Sequence, residues 1–143
     1  MTRLGVLFAL AFSSMAFDRV PDIEDLIGLE TTRISPDGKW IAYTVAAADF
    51  DKDAYVSQIW IVDLSGNRFP LTRCAKPSTR PRWSPGGKWL AFVSSRHEDM
   101  AQIFAIRPGG GEAVRLTDSE AGVTNYVWSP DGGRIAYSDR ARV

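Results

Sequence analysis

"WSPGGKWLAF", residues 83–92, is written three times along this 143-residue chain with small changes. The other copies are "ISPDGKWIAY" at 34–43 and "WSPDGGRIAY" at 128–137. Their serines, Ser35, Ser84 and Ser129, stand 49 and 45 residues apart. A second phrase keeps step with the first. "QIWIVDLSGNRFPLT" runs over 58–72 and "QIFAIRPGGGEAVRLT" over 102–117, with 44 residues between the glutamines and 45 between the closing threonines. Two phrases sharing one period of about 45 residues imply a repeated structural unit, and that period lies in the range of propeller blades.

Each unit reads as four strands. In the middle one, "RPRW" (80–83) runs into the tight turn "SPGG". Pro85 presets φ for the second position of a type I turn, and Gly87 supplies the left-handed conformation that closes it. "KWLAFVS" is the second strand and "AQIFAI" the third; the glycine-rich "RPGGGE" then turns the chain into "AVRLT", the fourth. Within the second strand Ile41, Leu90 and Ile135 align, as do Tyr43, Phe92 and Tyr137, all on one face. Ala42, Ala91 and Ala136 hold the opposite face. Large apolar residues on one side and a small one on the other suit a sheet sandwiched between two similar sheets, because a solvent-facing side would be polar. A lone antiparallel sandwich with strands alike by chance does not account for two phrases in step. The predicted fold is therefore all-β. It consists of β-propeller blades of four antiparallel strands, at about 30–72, 80–117 and an incomplete 124–143. Two copies depart from the pattern. Gly86 replaces the turn aspartate and loses its hydrogen bond to the turn backbone, and Gly133-Arg134 replace Lys-Trp.

The N-terminus follows other rules. Arg3 precedes the apolar run Leu4 to Phe12, and "SSMA" ends on small residues. This pattern predicts a signal peptide over 1–16, cleaved after Ala16, rather than a buried helix. The run is too short to span a bilayer stably, so an exported chain with no stable membrane insertion after cleavage is expected. Residues 17–29 read as a short helix or linker, with Asp22 as its cap and Ile23, Leu26 and Ile27 on one face. Lys+Arg and Asp+Glu balance at 17 each, which leaves no basic field for nucleic acid. The only cysteine, Cys74, has no partner for a disulfide within the chain and reads as a small buried hydrophobe.

Residues that invite a chemical reading do not assemble one. His97, the sole histidine, lies in "SSRHEDM" after the second strand of the middle unit, with Ser94 and Asp99 near it in sequence only. A general base needs a partnered nucleophile and an orienting acid, so His97 reads as an exposed loop residue. Asp49, Asp51 and Asp53 alternate as in an EF-hand, but Ala54 and Trp60 stand where glycine and glutamate are needed. "RPGGGEA" joins two strands instead of opening a helix, so it does not cradle a phosphate. No catalytic, cofactor-binding or metal-ligating residue is assigned, no cofactor is expected, and the substrate-contacting residues are unassigned.

The repeated W-S-P-D-G-k-x-[IL]-A-[YF] phrase followed by Q-I-[WF] and L-T resembles the propeller repeats of two groups. These are the exported TolB-type proteins and the prolyl oligopeptidase family (S9) of serine peptidases. "PDIEDLIGLETTRISPDGKWIAYTV" (21–45) is similar to the start of acylaminoacyl-peptidase-like and dipeptidyl-peptidase-like members, in which a short helix leads directly into the first blade. A TolB-type protein places an α/β domain before its propeller, and about fourteen residues separate Ala16 from the first repeat here. The longer excursion "AAADFDKDAYVS" (46–57) and the wording "VSQIWIVDLSG" (56–66) also look like the peptidase's first blade. That resemblance implies a Ser-Asp-His triad on a following α/β-hydrolase domain, with the serine in a G-x-S-x-G elbow. This chain contains no G-x-S-x-G. A propeller needs at least about four blades to close. The expectation is thus the N-terminal fragment of a longer peptidase that gates short peptides towards a C-terminal hydrolase domain absent from this chain. A non-enzymatic TolB-like propeller for protein interaction is the alternative.

Overall fold

The computed structural model describes residues 31–49, 54–97 and 100–140. The expected signal peptide and the helix over 17–29 lie outside the described residues. Among those described, every regular element is a strand. Strands β1 (Arg33–Ile34), β2 (Trp40–Asp49), β3 (Ala54–Asp63) and β4 (Arg68–Pro70) form one antiparallel sheet in sequence order. A second sheet repeats that order with β5 (Ser78–Trp83), β6 (Leu90–Ser94), β7 (Gln102–Ile106) and β8 (Val114–Arg115). A third holds β9 (Val123–Trp128) and β10 (Ile135–Asp139).

The repeat in sequence is a repeat in register. Ile34 pairs with Ile41, Trp83 with Leu90 and Trp128 with Ile135, so all three copies of the opening hairpin match position for position. The turn explains why its residues recur. Gly38, Gly87 and Gly132 donate to the carbonyls of Ser35, Ser84 and Ser129 at 2.8–2.9 Å, and each sits at φ near +70°. Each serine hydroxyl oxygen then accepts the amide five residues on, from Trp40, Trp89 and Arg134, at 2.9–3.1 Å. Where the turn aspartate is present, its carboxylate adds two bonds. Asp37 accepts from the Ser35 hydroxyl and the Lys39 amide, and Asp131 from the Ser129 hydroxyl and the Gly133 amide. The seryl hydrogen bond, more than any other influence, holds both carboxyls below the usual range. Their help to the turns is complete above the ordinary carboxylate pKa and is lost only as pH falls through those lowered values. Gly86 forgoes it.

The blades pack large on small. Leu90, Phe92, Phe104 and Ile106 of the second sheet share a core with Ala42, Ile59, Ile61 and Leu71 of the first. The opposite face of the second sheet, Ala91, Val93 and Ile103, meets Val123 and Tyr126 of the third, with Trp128 and Ile135 at the margin. Ala42, Leu90, Ala91 and Phe92 are completely buried. Ala136 holds the equivalent register position but is exposed, because no described sheet follows the third.

One part of the first sheet differs from expectation. "AAADFDKDAYVS" is not a polar loop for most of its length. Strands β2 and β3 run ten residues each, and their pairing continues from Ala46 opposite Ser57 to Asp49 opposite Ala54. Tyr55 and Val56 are β-favouring residues that fit a pleated surface, and the ladder carries on past the sheet core.

The first strands are where the sheets converge. Strand β5 lies against β1, β2 and β3. The Trp83 indole donates to the Arg33 carbonyl at 3.0 Å, and the Trp128 indole to the Arg82 carbonyl at 3.2 Å. The turns meet as well: a Cβ on Gly87 would stand 3.5 Å from Pro36, and one on Gly132 3.4 Å from Pro85. A tryptophan before Ser-Pro is therefore a latch onto the preceding blade. The first copy carries Ile34 instead, and it is exposed.

Candidate functional site

Two places concentrate polar chemistry: the rim where the fourth strand of one sheet crosses to the next, and the inner edge formed by the first strands. The rim explains the second repeated phrase. Gln102 is 2 % exposed at the start of β7. Its amide nitrogen donates to the Ser119 carbonyl at 2.7 Å, and its amide oxygen accepts from the Ser119 amide at 2.9 Å and the Thr117 hydroxyl at 2.8 Å. The Thr117 oxygen in turn accepts the Ile103 amide at 2.9 Å. Gln58, Thr72 and Cys74 repeat this clamp in the first sheet, where Gln58 bonds the Cys74 carbonyl and amide and Thr72 takes the Ile59 amide. Cys74 is thus the positional equivalent of Ser119, half-buried and held by its backbone.

His97 sits on this rim and is exposed, with its ring 5.5 Å from that of Phe104. Asp99 lies outside the described residues. The Ser94 hydroxyl donates to the Pro77 carbonyl at 2.8 Å and is committed to closing the sheet. Among the described residues no hydrogen bond joins Ser94 to His97 as nucleophile to base. Beside them the Arg96 guanidinium lies 4.8 Å from the Phe92 ring centre and 5.0 Å from that of Phe104, and donates to the Ser78 hydroxyl at 3.3 Å. Burial, above all, lowers the pKa of Arg96. Arg96 caps the apolar core between two blades. The EF-hand reading of Asp49 fails structurally too, since Ala54 to Trp60 are strand and Trp60 pairs with Tyr43. No group of metal-ligating side chains occurs among the described residues. "RPGGGEA" joins β7 to β8, as expected. A shallow recess of about 380 Å³ opens on the rim of the third sheet, lined by residues that include Asp118, Glu120, Tyr137 and Asp139.

The inner edge was not foreseen. Arg33 and Arg82 hold equivalent places on β1 and β5, opposite Ala42 and Ala91. Arg80 lies in the bulge of β5 at φ +55°, a left-handed conformation uncommon outside glycine. Its carbonyl accepts the Tyr126 hydroxyl at 2.8 Å, and the Arg82 guanidinium lies 5.7 Å from the Tyr126 ring centre. Burial raises the Tyr126 pKa well above that of a free phenol, against the opposing pull of Arg82 and Arg33. The available sequence signal was the run of arginines beside the conserved-looking tryptophan position in "TTRI" and "TRPRW".

Register-matched blades, joined by indole latches and clamped by Gln-Thr pairs, give the description that comparison with known proteins can be held against. The family model described as the TolB beta propeller domain matches residues 27–142. The chain belongs to this TolB propeller family. A relative named as an uncharacterized peptidase, YuxL of Bacillus subtilis, is 43 % identical over 115 residues, which is 80 % of this chain and 18 % of that protein. The solved TolB of Acinetobacter baumannii superposes with a TM-score of 0.65 at 29 % identity, covering 79 % of this chain and 27 % of that one. An acylaminoacyl peptidase of Pyrococcus horikoshii shares the fold with a TM-score of 0.62 at 24 % identity, over 77 % of this chain and 17 % of that one. The chain therefore spans about a fifth of the length of the curated peptidase relative it matches. The TolB-propeller and peptidase-propeller resemblance read from the repeats stands, as does the all-β fold.

Proposed function

We propose that this chain is the N-terminal propeller portion of an exported serine peptidase of the prolyl oligopeptidase type. In that protein the blades restrict access of short peptides to an α/β-hydrolase domain carried outside residues 1–143. The observation that carries the reading is the 43 % identity to a protein named a peptidase across 80 % of this chain. Export rests on the signal-peptide pattern of residues 1–16, and the blade limits of about 30–72, 80–117 and 124–143 are part of the same proposal. No helix among the described residues is long and apolar enough to cross a membrane. The second reading, a TolB-like propeller for protein interaction, is favoured by the likeness to solved TolB at 29 % identity.

The expected result with residues 17–143 alone, assayed on short acyl-peptide and aminoacyl substrates, is no turnover above the uncatalysed rate. Turnover that disappears on His97→Ala would make this chain an enzyme in its own right and overturn the proposal.

A further inference from the structure

We propose that the inner edge of the blades, where Arg33, Arg80 and Arg82 stand on adjoining first strands beside Tyr126, binds the carboxylates of short peptides. The inference rests on the peptide-handling reading above and adds the ligand chemistry. Arg33 and Arg80 are exposed and Arg82 is half-buried. Among the described residues none of the three has a carboxylate within ion-pair distance, whereas Lys39 and Arg115 each do. The hydrogen bonds they make are weak claims on a guanidinium. One Arg33 nitrogen bonds the adjacent Thr32 carbonyl, and one Arg82 nitrogen stands 3.5 Å from the Asn125 amide oxygen. Arg33 and Arg80 are open to solvent, and Arg82 lies beside the Tyr126 ring; a guanidinium's planar donor fork matches a carboxylate in two-point geometry.

Two further observations separate this edge from an ordinary charged surface. First, Arg33 and Arg82 recur at one register position in successive blades, so their charges form a row along the convergent side. The chain has formal net charge zero, so the row is a local positive feature without a general basic field around it. This favours a small acidic ligand over the extended phosphate backbone of a nucleic acid, which needs many phosphate contacts. Second, Arg80 occupies a left-handed backbone position that glycine would fill without strain. Asn125, its counterpart in the third sheet, pairs regularly with Ser138 and does not share the positive φ, so the conformation is particular to the Arg80 bulge. An arginine kept in strained backbone next to two others points to use of its side chain. The carboxylate comes either from Asp and Glu side chains or from a free peptide C-terminus.

The test is fluorescence polarisation with labelled tetrapeptides and the full chain. The probes are an acidic peptide with an amidated C-terminus, a glutamine-containing peptide with a free C-terminus, and the same neutral peptide amidated. The acidic or the free-C-terminal probe is expected to bind at least tenfold more tightly than the neutral amidated one, and which of them does so identifies the carboxylate source. Arg33→Gln/Arg80→Gln/Arg82→Gln should abolish that margin, while the control Arg73→Gln/Lys88→Gln should keep it within twofold. Arg80→Gly serves as a second variant. It should melt no lower than the unmodified chain yet bind the acidic probe more weakly, which a purely structural role for Arg80 does not predict. Equal binding of charged and neutral peptides would overturn the carboxylate site while leaving peptide handling intact. No binding of any probe, or an equally tight hold on a labelled oligonucleotide, would overturn it as well. The peptidase assignment itself is decided separately, by the residues that follow this chain.

Discussion

Gln102→Ala is expected to lower stability by about 3 kcal/mol, the largest loss of any single polar substitution in the described residues. The glutamine amide is the only described partner of the Ser119 carbonyl and amide, and Ser119 is itself buried. Truncation strands both groups and frees the Thr117 hydroxyl that positions the Ile103 amide. A buried donor or acceptor left without a partner costs roughly 1–3 kcal/mol, and water reaches this rim only in part. Thermal melting by circular dichroism should show a fall of about 10–20 °C for a domain of this size. Gln58→Ala breaks the equivalent clamp in the first sheet and should cost less. Gln58 is only half-buried, and its bonds to the Cys74 amide and Lys76 carbonyl are long, at 3.4 and 3.5 Å. If Gln102→Ala melts within a few degrees of the unmodified chain, or if Gln58→Ala is the more harmful, the clamp is not what fixes the Q-I and L-T phrases.

The second large effect concerns the two outer blade faces. The third sheet has two strands; Val127, opposite the exposed Ala136, is 51 % exposed on its outer face, and Tyr137 on the other face is still 47 % exposed. Strand β10 has an unpaired edge among the described residues. Ile34 is 54 % exposed on the side of the first sheet where a preceding blade would lie. Burying one such side chain stabilises by roughly 1.5–3 kcal/mol, and open strand edges template pairing with other chains. Residues 17–143 are therefore expected to self-associate, with a sedimentation coefficient that climbs with concentration across the micromolar range and a melt that shifts with it. A sharp melt independent of concentration from a strict monomer would mean that these faces are satisfied within the chain.

Much of the fold was legible because each repeated residue has a local task. Ser35, Ser84 and Ser129 each take two backbone bonds in one tight turn, and Gly38, Gly87 and Gly132 each need positive φ. Such demands act over five residues and imprint directly on the sequence. The alternation of Ala91 with Leu90 and Phe92 is likewise local, and it foretold burial on both faces. The tasks of Trp83 and Gln102 were not legible. Their partners, the Arg33 carbonyl and the Ser119 backbone, lie 50 and 17 residues away and become neighbours only when the blades converge and the crossovers settle. The extension of β2 and β3 through 46–49 and 54–57 was hidden by the aspartates of "DFDKD", of which Asp49 is the last residue of β2. The inner arginines were passed over because balanced overall charge hides a local row. Their arrangement depends on a bulge at Arg80 that no periodicity announces.

The central claim is that these blades serve a hydrolase carried in the same protein. Reading the coding sequence that continues past Val143 tests it most directly. The account predicts further W-S-P-D-G repeats, followed by a domain with a G-x-S-x-G elbow and, after it, an aspartate and a histidine in that order. A continuation that closes the propeller and ends with no such elbow would contradict the claim and leave a TolB-like binding protein.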